Sequence, residues 1–171
     1  MRRVTLKLLA VAGLAVLTGC GFQLRGQSPL PFDAAYVEAG AKEMRDSGRE
    51  DKSTIAGLLR TQLVRQAKLA TQRDDADVII RLAKVTREKS ILSLSGAGKV
   101  REYRLIHMVT VSAVAPDGRE ILAPAEIRLA RDFSYSDDQV LAKEAEEAML
   151  RRDMDEEALR QILRRLAFVR K

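Results

Sequence analysis

The chain has no tryptophan, only four Phe and three Tyr, one His and one Cys in 171 residues. A single cysteine excludes an internal disulfide and any zinc site built from several thiolates. A single histidine excludes an H-E-x-x-H metal pair. The shortage of aromatics leaves little to stack on bases, which argues against a single-strand nucleic-acid partner despite a formal net charge of +6. Long apolar runs are also scarce. The longest uncharged stretch near the start, Leu8 to Leu17, is about half of the roughly 20 residues that a spanning helix needs.

That short run has a recognisable context. Arg2, Arg3 and Lys7 precede it, and Leu17-Thr18-Gly19-Cys20 follows, which is the arrangement of a bacterial lipoprotein signal with its lipobox. The sequence predicts a signal peptide over residues 1–19, with Cys20 acylated and becoming the first residue of the mature chain. Loss of the three signal cations would lower the net charge from +6 to +3. Acylation also consumes the only thiol, which suits an oxidising envelope. Each buried acyl methylene contributes roughly 0.8 kcal/mol, so several chains together form a lasting membrane anchor. Gly21, and not Asp, follows the cysteine, which in enteric-type sorting favours the outer membrane.

With 46% hydrophobic and 32% charged residues, the mature chain can bury one core. Pro29 and Pro31 place residues 20–33 in an extended tether, leaving a domain over 34–171. A short strand is expected at Ala34 to Ala39, then a charged loop. A helix capped by Ser53 follows, with Ile55, Leu58, Leu59, Leu63 and Ala67 at helical spacing to about Ala70. Val78, Ile80 and Leu82 alternate as in a strand that extends past Val85, and the small residues from Ser90 to Gly98 read as a loop. Tyr103, Leu105, His107, Val109 and Val111 share one face of a third strand. Pro116-Asp117-Gly118 marks a hairpin turn.

The return strand carries Ile127, Leu129, Phe133 and Tyr135, and Pro124 within it predicts an edge, a bulge or a break in pairing. Ser136 with Gln139 reads as a capping box opening a long helix to about Phe168, whose segment Arg151 to Glu157 is polar nearly all round and is expected to extend beyond the sheet or to meet something outside the domain. The fold class is α+β, two helices packed on one face of a mainly antiparallel four-stranded sheet.

No catalytic or metal constellation stands out. His107, amid apolar neighbours in a strand, reads as a hydrogen-bonded core or partner-facing residue. Gly96 and Gly98 lie between two strands, without the following helix N-terminus that would hold a phosphate, and read as a turn. Asp74 with Asp75, and Asp137 with Asp138, sit at element ends where turn and capping roles explain them. Lys143, Lys99, Arg101 and Arg104 are basic residues open to either solvent or an anionic ligand. Lys143 with Glu147, Glu147 with Arg151 and Glu156 with Arg160 stand at spacing four.

The start Cys20-Gly21-Phe22-Gln23-Leu24-Arg25 resembles the C-G-[FW]-x-L-R opening of the lipopolysaccharide-assembly lipoproteins called LptE or RlpB. Glu102-Tyr103, the Pro-Asp-Gly hairpin, Phe133 and Leu141-Ala142-Lys143 resemble later features of that family in order and spacing. The resemblance implies a plug inside the outer-membrane barrel LptD, lipid-anchored on the periplasmic side, in the translocon that places lipopolysaccharide in the outer leaflet. No enzymatic activity, no cofactor and no nucleic-acid partner are expected. Lys143 matches a family lysine implicated in lipopolysaccharide binding. At the family's second basic position this chain has Gly96, with Lys99 or Arg101 as substitutes. Two other readings stay open from the residues alone: an envelope- or peptidoglycan-binding lipoprotein, and a periplasmic hydrolase using carboxylates.

Overall fold

The computed structural model describes residues 30–40 and 54–169. The signal peptide, Cys20 and Ser53 lie outside the described residues. Four strands form one sheet in the order β1 (Ala35–Ala39), β2 (Val78–Leu94), β3 (Val100–Val114), β4 (Glu120–Ser134). β1 pairs parallel with β2, across helix α1 (Ile55–Arg65), and the other two pairings are antiparallel. Helix α2 (Val140–Ala167) closes the chain order. Both helices share a single core with one face of the sheet, as the composition and order of elements lead one to expect.

Period-two alternation decides which face is inner. On β3, Leu105, His107, Val109, Val111 and Ala113 are buried, while Arg104, Ile106, Met108, Thr110 and Ser112 stand on the opposite, half-open face. α1 contributes Ile55, Leu59 and Leu63, and α2 contributes Met154, Ala158, Ile162 and Leu166. Each set recurs every four residues, and all seven are almost fully enclosed. The outer face is tied by opposite charges on neighbouring strands. Glu38 faces Arg81 at 2.9 Å, and Arg104 holds Asp132 through two hydrogen bonds of 2.7 and 2.8 Å.

Several boundaries differ from the sequence reading, each for a physical reason. The first helix is capped by Thr54, whose hydroxyl accepts from Gly57 N at 3.0 Å, and it ends at Arg65 instead of continuing to Ala70. Ala67 adopts φ 54°, with its N–H donating to Val64 O and the Lys68 N–H donating to Leu63 O. This is a Schellman stop with alanine at the position that favours glycine. Ala67→Gly is therefore expected to raise the unfolding free energy by up to about 1 kcal/mol, which a urea midpoint will register. A lower midpoint would show that the left-handed turn carries no strain.

β2 runs on to Leu94, through most of the stretch whose serines and small residues read as a loop, because Lys89 and Ile91 have Leu105 and Tyr103 opposite them on β3. Only Ser95 to Lys99 turns. Ser95 N donates to Lys99 O and Gly98 N to Ser95 O, with Gly98 at φ 76°; Ala115 to Arg119 repeats this geometry around Gly118 at φ 89°. Pro124 sits at a register shift in the edge strand β4, as expected.

Ser136 caps not the long helix but a 3-10 turn, Asp137–Gln139, that precedes it. The polar segment Arg151 to Glu157 does not project past the sheet: Met154 and Asp155 within it are buried. Leu30 and Phe32, placed in the tether by the sequence, are 5% and 2% exposed, so packing into the domain begins ahead of Ala34. Asp77 draws this segment in by accepting from the Asp33 and Ala34 N–H groups, both at 3.1 Å.

Candidate functional site

The β2–β3 turn, the end of β4 and the start of α2 meet at one end of the sheet. Glu102 pairs with Ser134, and Tyr135 N donates to Arg101 O at 2.7 Å, so the chain leaving β4 passes beside Arg101. Lys99 then meets Asp137 at 3.3 Å, both side chains being largely exposed. Arg101 is exposed and forms no ion pair among the described residues. Lys143 stands one helical turn into α2 and reaches back to Ser134 Oγ at 3.0 Å while pairing with Glu146 at 2.9 Å. The three basic residues named from the sequence thus belong to one end of the molecule.

Lys143 differs from its expected setting. Its carboxylate partner is Glu146, three residues on, and not Glu147, and its side chain is only 15% exposed. Glu147 instead turns toward the sheet, where it accepts from Lys89 and from Arg151. Lys89 lies 4.1 Å from the centroid of the Tyr103 ring, which packs on Phe133 and Tyr135. Sequence reasoning missed Lys89. Its only signal is its place on the inner side of β2, opposite Leu105.

Burial raises the Glu147 carboxyl pKa, but hydrogen bonds from Lys89 and Arg151 outweigh that and hold it below its ordinary value of 4.5. A carboxyl depressed in the folded state contributes stability above its unfolded pKa and loses it as pH falls through the folded one. Glu147→Gln is expected to cost about 1 kcal/mol at pH 7. Paired urea titrations of the two proteins should converge as pH drops below about 4.5. A gap that stayed constant with pH would remove the charge from the explanation.

Gly96 occupies the exposed tip of the turn, and a Cβ built there meets nothing within 4 Å. There is room here for a larger side chain. At the opposite end of the sheet, Pro31 and Phe32 share a cleft of about 480 Å³ with Ala115, Pro116 and Val169. The described chain therefore enters beside the β3–β4 turn. β3 spans the distance between the two ends with 15 residues, roughly 45–50 Å at about 3.4 Å per residue.

Beneath α2 lies a second polar group. His107 Nδ1 is 3.0 Å from Asp155 Oδ1, and Arg87 donates to both Asp155 oxygens at 3.1 and 3.2 Å. His107 is the core residue expected from its neighbours, buried against Asp155. Among the described residues its Nε2 meets no hydrogen-bond partner, so none of their hydroxyls is placed to act as a nucleophile through it. Among the described residues there is no group of three or more His, Cys, Asp or Glu arranged to hold a metal.

The family model described as LptE, lipopolysaccharide-assembly, matches residues 34–166. The chain is 29% identical over 170 residues to the LPS-assembly lipoprotein LptE of Photorhabdus laumondii, covering 99% of this chain and 88% of that one. It is 29% identical over 158 residues to the protein of the same name in Pectobacterium atrosepticum, covering 91% and 82%. Among solved structures, lipoprotein B of Nitrosomonas europaea matches with a TM-score of 0.68 and 38% identity, over 86% of this chain and 90% of that one. The rare lipoprotein B of Shewanella oneidensis matches at 0.60 and 27%, over 77% and 93%.

Proposed function

This chain belongs to the LptE family of lipopolysaccharide-assembly lipoproteins, and from that premise we propose that it is anchored by acylated Cys20 to the periplasmic side of the outer membrane, where it plugs the LptD barrel and binds lipopolysaccharide. The placement of Lys99, Arg101 and Lys143 carries this reading. All three lie at the end of the sheet remote from Pro31, where the described chain enters. A lipid anchor at Cys20 would hold the entry end near the membrane surface and direct the basic end along the lumen.

Charge-assisted hydrogen bonds from these residues suit phosphates and acidic sugars. Arg101 and Lys99 are the accessible donors. Lys143 already donates to Ser134 and Glu146 and is mostly enclosed, so only its third N–H is left for a ligand oxygen, which makes it the weaker contributor. The mixed, internally paired charges of the outer sheet face fit a water-filled lumen lined with polar side chains.

The test has two parts. Detergent extraction of the full chain from its own membranes should recover LptD with it, and mass spectrometry should find an acylated Cys20 at the mature N-terminus. An unmodified cysteine or a chain recovered without any barrel would overturn the anchored-plug reading. Binding of purified lipopolysaccharide should fall severalfold in Lys99→Glu with Arg101→Glu, should weaken with salt, and should rise in Gly96→Lys, which adds a cation where there is room. Unchanged binding in the double variant would leave a structural plug without lipid recognition at these residues.

A further inference from the structure

Among the described residues eight large apolar side chains are exposed, and five of them, Ile91, Leu92, Leu94, Val140 and Leu141, stand at the basic end. Ile91, Leu92 and Leu94 fall within four positions of β2 where the ladder with β3 slips twice, between Ile91 and Ser93 and between Ser93 and Leu94. Such bulges redirect side chains and recur beside functional sites. Leu94 pairs with Val100, next to Lys99. Val140 and Leu141 come three and four residues after Asp137, the partner of Lys99, and Leu141 is 82% exposed.

A soluble surface seldom gathers apolar side chains in this way without a use. Here they flank Lys99 and Arg101, so the same end offers cations and an apolar rest. That combination matches an amphiphile whose phosphates sit next to its fatty acyl chains. Deepening the lipopolysaccharide-binding reading, on which it rests, we infer that the bulged end of β2 and the first turn of α2 form an acyl-chain contact site. Ile91, Leu92, Leu94 and Leu141 lie against the chains while Lys99 and Arg101 hold the phosphates. The turn residues Gly96, Ala97 and Gly98 are exposed and small, which lets a bulky glycolipid approach the strand ends.

The test compares full-length protein with two variants, Leu92→Ser/Leu94→Ser/Leu141→Ser and Lys99→Glu/Arg101→Glu, against two probes, fully acylated lipopolysaccharide and the same material with every acyl chain removed. All five positions are on the surface, and far-UV circular dichroism with a melting curve verifies the fold. The apolar variant should bind the acylated probe about tenfold more weakly and the deacylated probe as wild type does. The charge variant should lose affinity for both. If the apolar variant keeps its affinity for acylated lipopolysaccharide while the charge variant loses it, the acyl site is wrong and the lipopolysaccharide reading stands. If neither variant changes either affinity, both fall. If the apolar variant binds lipid normally but no longer recovers a barrel on extraction, the patch is a protein contact and the inference is overturned.

Discussion

Ile162→Ala is expected to cost about 2–5 kcal/mol of unfolding free energy. Ile162 is fully buried and belongs to the stripe Met154, Ala158, Ile162, Leu166 that presses α2 onto the sheet. Truncation removes the transfer energy of the lost carbons and leaves a cavity between α2 and the sheet that the rigid sheet cannot collapse to fill. Against a total of roughly 5–15 kcal/mol for a domain, this loss is a large fraction of the whole. The urea midpoint should fall with an unchanged slope. Leu141→Ala, in the same helix but 82% exposed, should change stability by less than about 0.5 kcal/mol. Equal effects at the two positions would mean that α2 does not dock as described.

Asp155→Ala is expected to cost about 1.5–3 kcal/mol, the second largest effect. The carboxylate accepts from Arg87 and stands 3.0 Å from His107 Nδ1, and its removal leaves His107, 3% exposed, without a partner on either ring nitrogen among the described residues. The figure stays below that for a fully enclosed ion pair because the Arg87 side chain is about one-third exposed and can turn to water. Removing both ends of this polar contact should be less damaging than removing one. The double variant His107→Leu/Asp155→Leu should therefore recover part of the loss, with a coupling energy above roughly 0.5 kcal/mol. Additive losses would show that the two side chains act independently.

These positions also show how far the sequence could be read. β3 was legible because its two faces differ at every residue, apolar toward the core and polar or mixed outward. The four-residue spacing of Ile55, Leu59 and Leu63 marked α1 in the same way. The distal end of β2 was hidden. Its residues from Ser90 to Leu94 include two serines and precede a small-residue turn, and their strand character comes from pairing with β3. The stop of α1 at Ala67 gave no signal, since alanine ordinarily favours helix and not φ 54°. Asp155 looked solvated because the residues that draw it inward, Arg87 and His107, are 68 and 48 positions away on other strands.

For the candidate site, the sequence supplied Lys143, Lys99 and Arg101 through charge, turn position and family resemblance. It could not show that Lys143 is occupied by Ser134 and Glu146. Nor could it show that Ile91, Leu92 and Leu94, read as part of a loop with Ser90 to Gly98, stand on a strand beside those cations. The first depends on how β4 delivers the chain to α2, and the second on the pairing of β2 with β3.

The buried stripe of α2 also fixes the order in which the molecule can be completed during synthesis. Residues 35–134 supply the whole sheet and α1, yet the inner faces of β3 and β4 are covered by side chains that arrive only between Met154 and Leu166. Until those residues have emerged, Leu105, Val109, Ile127 and Leu129 remain an adhesive apolar surface. The chain thus cannot reach its final stability piecemeal from the N-terminus, and the nascent sheet must be kept from premature association until the last helix has been made.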